Sequence, residues 1–183
     1  MNLSKPFVDA WNIYVKHLGT ILIAFIIVIV LSIVTLGILL VPLAVGLQML
    51  FVKAKRGDQP AANDVLAPIG RYFSLTFGCL GIGMLTLFGL CLLVVPGLAW
   101  MSWWLYAPLY MFDRSMHIED AMKSSKAVVR QGGTWWHLLF LVIIFFIDNV
   151  LPVLFGPLGL LAKFVTTPVT MGALACAYAD ESK

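Results

Sequence analysis

The sequence predicts an all-α polytopic membrane bundle: six transmembrane helices paired as three hairpins, with short interfacial amphipathic helices between them. Three observations carry this expectation. Of 183 residues, 61% are apolar and 11% charged, against about 45–50% and about 25% in soluble domains. The charges are segregated, with one charge-free run from Leu18 to Val52 and another from Tyr72 to Phe112. A threefold internal pattern divides the chain.

A span needs about 20 apolar residues, each rising 1.5 Å, to cross about 30 Å of hydrocarbon. Each run is therefore long enough for two short spans. The third apolar tract, Gln131 to Ala179, is interrupted only by Asp148 and Lys163 and holds two more. The first apolar stretch opens at Leu18, is too long for the core of a signal peptide and lacks a small-residue cleavage site, so the mature chain is expected to begin at Met1.

The chain reads as one integral membrane domain, 1–183, with units 1–57, 58–114 and 115–183. Each opens on a polar stretch with an acid (Asp9, Asp64, Asp120) and later reaches two apolar residues and a proline. Those triplets are Leu40-Val41-Pro42, Val94-Val95-Pro96 and Val150-Leu151-Pro152, 33, 32 and 32 residues after the acid. A competing register for the third unit pairs Pro42-xxx-Gly46 with Pro168-xxx-Gly172, and the sequence leaves the choice open. Eleven of the twelve Lys and Arg residues fall at the N-terminus, in Lys53–Arg71, in Arg114–Arg130 and at the C-terminus. If each tract is a hairpin, these segments share one face, and the excess of cations places both termini in the cytoplasm.

In the first opening stretch, Phe7, Trp11, Tyr14 and Leu18 recur at helical spacing. Asn63 to Ile69 is short and broken by Pro68. In the third, Ile118, Met122, Val128 and Val129 alternate with Glu119, Lys123, Lys126 and Arg130, and Glu119 and Lys123 are spaced to pair. Gly132-Gly133 ends that helix before Trp135 and Trp136 anchor the next span. Gly37, Gly89, Gly97, Gly156 and Gly159 mark the hairpin tips. Gly78, Gly81 and Gly83, and Gly172, Ala173 and Ala177, offer small surfaces for close helix contact.

The one constellation that a bilayer makes costly is Asp148 with Lys163. A lone charge at a span centre costs about 2.5–3.5 kcal/mol on insertion scales, so such groups pair or face a cavity. The midpoint of these two falls at Phe155 and Gly156, where the last hairpin should turn, which predicts a side-chain contact. It reads as a clamp near the outer interface or as an ion-coupling site with Asn149 and Thr166 or Thr167 as neighbours. His17, His117 and His137 lack the spacing of metal ligands. Cys79, Cys91 and Cys176 read as buried, inert thiols. Trp100, Trp103, Trp104, Tyr106 and Tyr110 form an aromatic band that reads as packing or lipid contact. No catalytic motif, metal site or cofactor site is recognised, so no enzymatic activity is expected. A net charge of +3 without a dense basic block does not point to nucleic acid.

The stretch Pro42-xxx-Gly46 through Lys53, Arg56, Gly57 and Asp58 to Pro60 and Asp64 resembles a group of uncharacterised bacterial six-helix inner-membrane proteins. So do Val95-Pro96-Gly97, Asp120–Ser125 before Trp135-Trp136, and Pro168-xxx-Gly172. That group is similar to the membrane domain found beside some glycerophosphodiester phosphodiesterases. The resemblance implies a bacterial inner-membrane location, supplies no catalytic residues and does not carry the phosphodiesterase activity. The expected role is a non-enzymatic scaffold or accessory subunit whose partners are membrane lipids and another membrane protein or a second copy. A small oligomeric transporter or channel and a membrane-shaping hairpin protein are the alternatives.

Overall fold

The computed structural model describes residues 4–92, 94–154 and 159–182. Among them the chain is helical throughout: α1 (Ser4–Lys16), α2 (Leu18–Val34), α3 (Leu40–Arg56), a 3₁₀ helix (Ala62–Arg71), α4 (Tyr72–Leu92), α5 (Val94–Trp103), α6 (Ala107–Asp113), α7 (Ile118–Gly132), α8 (Thr134–Phe145), a π-helical turn (Phe146–Val150), α9 (Leu151–Leu154) and α10 (Gly159–Glu181). Gly156 and the predicted last hairpin tip lie outside the described residues.

Two stretches are long and apolar enough to cross a membrane, Ala62–Cys91 and Thr134–Leu154. A third candidate is the pair α1 and α2, bent by 96° at their junction. Six full-length spans are not found among the described residues. For α2 and α3 the shortfall is length, since they have 17 residues each, about 25 Å at 1.5 Å per residue.

Local chemistry explains where the helices stop. Between α2 and α3 the Thr35 hydroxyl donates to the Leu31 carbonyl at 2.7 Å and accepts from the Leu39 N–H at 3.4 Å. Leu36 and Gly37 then take φ of 51° and 82°, which reverses the chain. Gly57 ends α3 at φ 95°, with its N–H donating to Ala54 and the Asp58 N–H to Lys53, a left-handed cap that glycine adopts without a Cβ penalty. Asp64 opens the 3₁₀ helix by accepting from the Ala61 N–H at 3.1 Å.

The packing order is cyclic. The 3₁₀ helix of the second unit lies along α3 of the first, α7 of the third lies along α6 of the second, and α1 of the first lies along α10 of the third. Lys5 meets Asp180 at one end of the α1–α10 contact, and the Tyr14 hydroxyl donates to the Phe164 carbonyl at the other. The aromatic stripe expected on α1 is thus divided. Pro6, Ala10 and Tyr14 face the protein, whereas Trp11 and Leu18 are exposed. The small Ala10 lets α1 approach α10, so the predicted surface helix is packed along a neighbour.

Close approach also fixes the other junctions. A Cβ on Gly46 would run into the Val65 backbone carbonyl of the 3₁₀ helix, and one on Gly172 into the Phe51 ring. The paired Pro42-xxx-Gly46 and Pro168-xxx-Gly172 motifs therefore both stand on helix faces in tight contact, on α3 and α10. Gly78 faces Met111, whereas Gly83 opens onto free space. Of the thiols, Cys176 is buried but Cys91 is exposed, because α4 packs by one side only.

Candidate functional site

The charged side chains converge where the C-terminal ends of α3, α6 and α10 meet. The end of α3 is basic, with Lys53, Lys55 and Arg56, and the ends of α6 and α10 are acidic, with Asp113, Asp180 and Glu181. Lys55 contacts Asp180 at 2.7 Å and Asp9 at 3.0 Å and also donates to the Cys176 carbonyl. Arg56 clasps Asp113 with two parallel bonds of 2.7 and 2.6 Å, the fork geometry that makes Arg–carboxylate pairs strong. The Tyr178 hydroxyl donates to the same carboxylate at 2.8 Å. Lys53 meets Asp64 at 3.0 Å, and Arg114 donates to the Ser182 carbonyl.

These contacts act on the titrating groups. Burial alone would raise the Asp113 carboxyl, but Arg56 and Tyr178 hold it below its ordinary value. Burial likewise works against the Asp180 carboxylate, and Lys55 and Lys5 more than offset it. Desolvation disfavours the Lys55 ammonium, yet its bonds to Asp180 and Asp9 leave its pKa raised.

Beside this cluster, His137 is fully buried. Its Nε2 lies 2.8 Å from Glu181 Oε2 and its Nδ1 3.0 Å from the Gly133 carbonyl. The Tyr106 ring meets the imidazole edge-on at 5.8 Å, and Tyr110 meets Tyr178 at 4.9 Å. A small polar side chain supports this layer. Ser125 of α7 donates to the Trp103 carbonyl at 2.7 Å and accepts from the Tyr106 N–H at 3.1 Å, which satisfies the backbone at the break between α5 and α6.

No family model, curated protein or solved structure matches the chain.

The predicted Asp148–Lys163 contact does not form: no ion pair joins the two within 4 Å among the described residues. Asp148 instead accepts from the Thr167 hydroxyl at 2.6 Å, and Lys163 is exposed. The difference is a slip of one helical turn. The helix is not regular through Asp148: the π-helical turn Phe146–Val150 holds an extra residue per turn and re-aims that face. Asn149 points away from Asp148, donating to the Phe145 carbonyl. The expected Glu119–Lys123 pair is also absent from the described ion pairs, and Lys123 lies 3.8 Å from Asp120.

Of the histidines, His117 is exposed and His17 sits at the α1–α2 junction. No cluster of three or more His, Cys, Asp or Glu able to hold a metal occurs among the described residues. Sequence reasoning missed the His137–Glu181 pair and the bridging Ser125. The separation of 44 residues between the paired groups, with no repeat linking them, left no local signal.

Proposed function

We propose that the chain is a non-enzymatic multi-pass inner-membrane protein acting as a scaffold or accessory subunit, with six short spans as three hairpins and both termini cytoplasmic. The observation that carries the reading is the closed cycle of packing around α3, α6 and α10. Its centre is filled by buried Phe51, Tyr106, Tyr110, Phe140 and Tyr178 and capped by the ion pairs above. A carrier or channel needs a polar route through such a centre. The two long apolar stretches instead turn outward, with only 17% and 18% of their most apolar windows buried within the protein, a surface suited to lipid or another membrane helix. The resemblance of the motifs around Pro42, Asp64, Pro96 and Pro168 to bacterial six-helix inner-membrane proteins agrees with this reading.

The 17-residue legs α2 and α3 favour a second reading, a hairpin that wedges into one leaflet. Cysteine labelling in intact cells separates the two. In a background with Cys79, Cys91 and Cys176 changed to Ser, Leu36→Cys at the α2–α3 turn should react with an impermeant maleimide from outside. Ser115→Cys in the α6–α7 loop should react only after permeabilisation. A Leu36→Cys protein that stays unlabelled until the membrane is opened excludes the spanning hairpin. For the scaffold role, a photo-crosslinking residue at exposed Met84 or Val142 should capture a polypeptide. Adducts with lipid alone would overturn that role.

A further inference from the structure

The antiparallel helices α5 and α8 enclose an apolar groove that runs away from the charged end of the bundle. It comprises a cavity of about 110 Å³ between Leu98, Ala99, Thr134 and Trp135, continued by one of about 190 Å³ between Met101, Leu141 and Phe145. Both share Leu98 and Leu138 as walls. At the Thr134 end of the groove stands the Trp103 indole, whose N–H donates to the Thr134 hydroxyl at 3.1 Å.

Above that indole stand two cations of α7, one turn apart. Lys126 Nζ is 4.5 Å and Arg130 Cζ 5.6 Å from the ring centre. Both differ from the cations of the central cluster. Lys5, Lys53, Lys55 and Arg56 each meet a carboxylate, whereas neither Lys126 nor Arg130 has one within 4 Å among the described ion pairs. An aromatic face positions a cation without neutralising it. Lys123, which also lines the adjoining cavity with Glu119, already has Asp120 at 3.8 Å. Two cations without a carboxylate partner among the described ion pairs thus stand over the indole that bonds Thr134 at one end of the apolar groove.

We propose that this site holds one anionic phospholipid, its phosphate on Lys126 and Arg130 and one acyl chain in the α5–α8 groove. The inference does not depend on the number of spans or on their orientation. The head of the ligand must be anionic to match the two charges, and its tail apolar to match the Leu98, Leu138 and Phe145 walls. A soluble phosphate would satisfy only the first condition and a zwitterionic lipid only the second.

The test is binding of phosphatidylglycerol carrying a fluorescent acyl chain to the delipidated full chain in mild detergent, read by anisotropy. Phosphatidylcholine with the same label should bind more weakly, and inorganic phosphate should not displace the bound lipid. The double variant Lys126→Gln, Arg130→Gln should bind phosphatidylglycerol about thirty-fold more weakly, as expected for two cations near a charged headgroup. Leu138→Trp, which fills the groove, should weaken both lipids. The Gln substitutions are at the surface and leave the central cluster intact, so the double variant keeps the test decisive if Leu138→Trp fails to fold. Equal affinity for the two lipids, displacement by inorganic phosphate, or an unchanged affinity in the double variant would each overturn the proposal.

Discussion

The glycines show how different one residue type can be within one helical protein. Gly46 has the Val65 carbonyl where its Cβ would lie, a backbone atom that cannot swing aside, and Gly83 has open space. Gly46→Ala should therefore destabilise by about 1–3 kcal/mol, the usual range for forcing an extra methyl into a packed contact. Gly83→Ala should be neutral, or stabilising by up to about 1 kcal/mol, through helix propensity. Thermal unfolding of the two variants in one detergent checks the contrast, and equal midpoints would remove the close-contact account. His137 carries a second prediction. Its ring fills a buried site and meets Glu181 and Gly133, so His137→Ala should cost about 1–3 kcal/mol by leaving those acceptors unpaired. An unfolding midpoint unchanged from the parent would show that the pair adds nothing.

At the scale of elements, the α5–α6 break is the joint most dependent on a distant side chain. Tyr106 N–H and Trp103 C=O are freed where the helix is interrupted, and Ser125 satisfies both. Ser125→Ala should cost about 1–3 kcal/mol, the penalty for buried backbone groups left unmade, whereas Ser124→Ala, whose hydroxyl meets only the Met116 sulfur at 3.8 Å, should be near neutral. The same denaturation series reads both, and comparable losses would mean that the hydroxyl of Ser125 does not support the break. This joint also marks the boundary of what the chain discloses before folding. Helical class, the position of the α2–α3 turn at Gly37 and the stop of α7 at Gly132-Gly133 were legible because each is written locally, in hydropathy and in glycine. The π-helical turn at Phe146–Val150 was not, since no glycine or hydropathy signal marks it, and Asp148 there meets Thr167 rather than Lys163. On α1 the spacing of Phe7, Trp11, Tyr14 and Leu18 did not disclose the packing against α10, which buries Ala10 and Tyr14 and leaves Trp11 and Leu18 exposed.

On the scale of the molecule, the helices are joined by a division of charge: the basic end of α3 lies between the acidic ends of α6 and α10. That arrangement has a pH signature whose sign is fixed by the carboxylates. Asp113 and Asp180 both have folded values below the ordinary carboxylate pKa, which is about 3.9 in an unfolded chain. A depressed group contributes stability that is fully present above its unfolded value and is lost as pH falls through its folded value. The raised Lys55 value acts at the opposite extreme, its contribution being present below the unfolded lysine pKa of about 10.4 and lost as pH rises through the folded one. The unfolding midpoint should therefore decline as pH drops from about 4 toward 2. Asp113→Asn should flatten that decline, because it removes one of these two depressed carboxyls together with the bidentate clasp of Arg56. Arg56→Lys keeps the charge but loses the fork, so it should lower the midpoint at neutral pH while retaining much of the acid slope. An Asp113→Asn protein with the parent's full acid dependence would place the source of the pH effect outside the α3–α6 contact, leaving the Lys55 junction with Asp9 and Asp180 as the joint that acid opens.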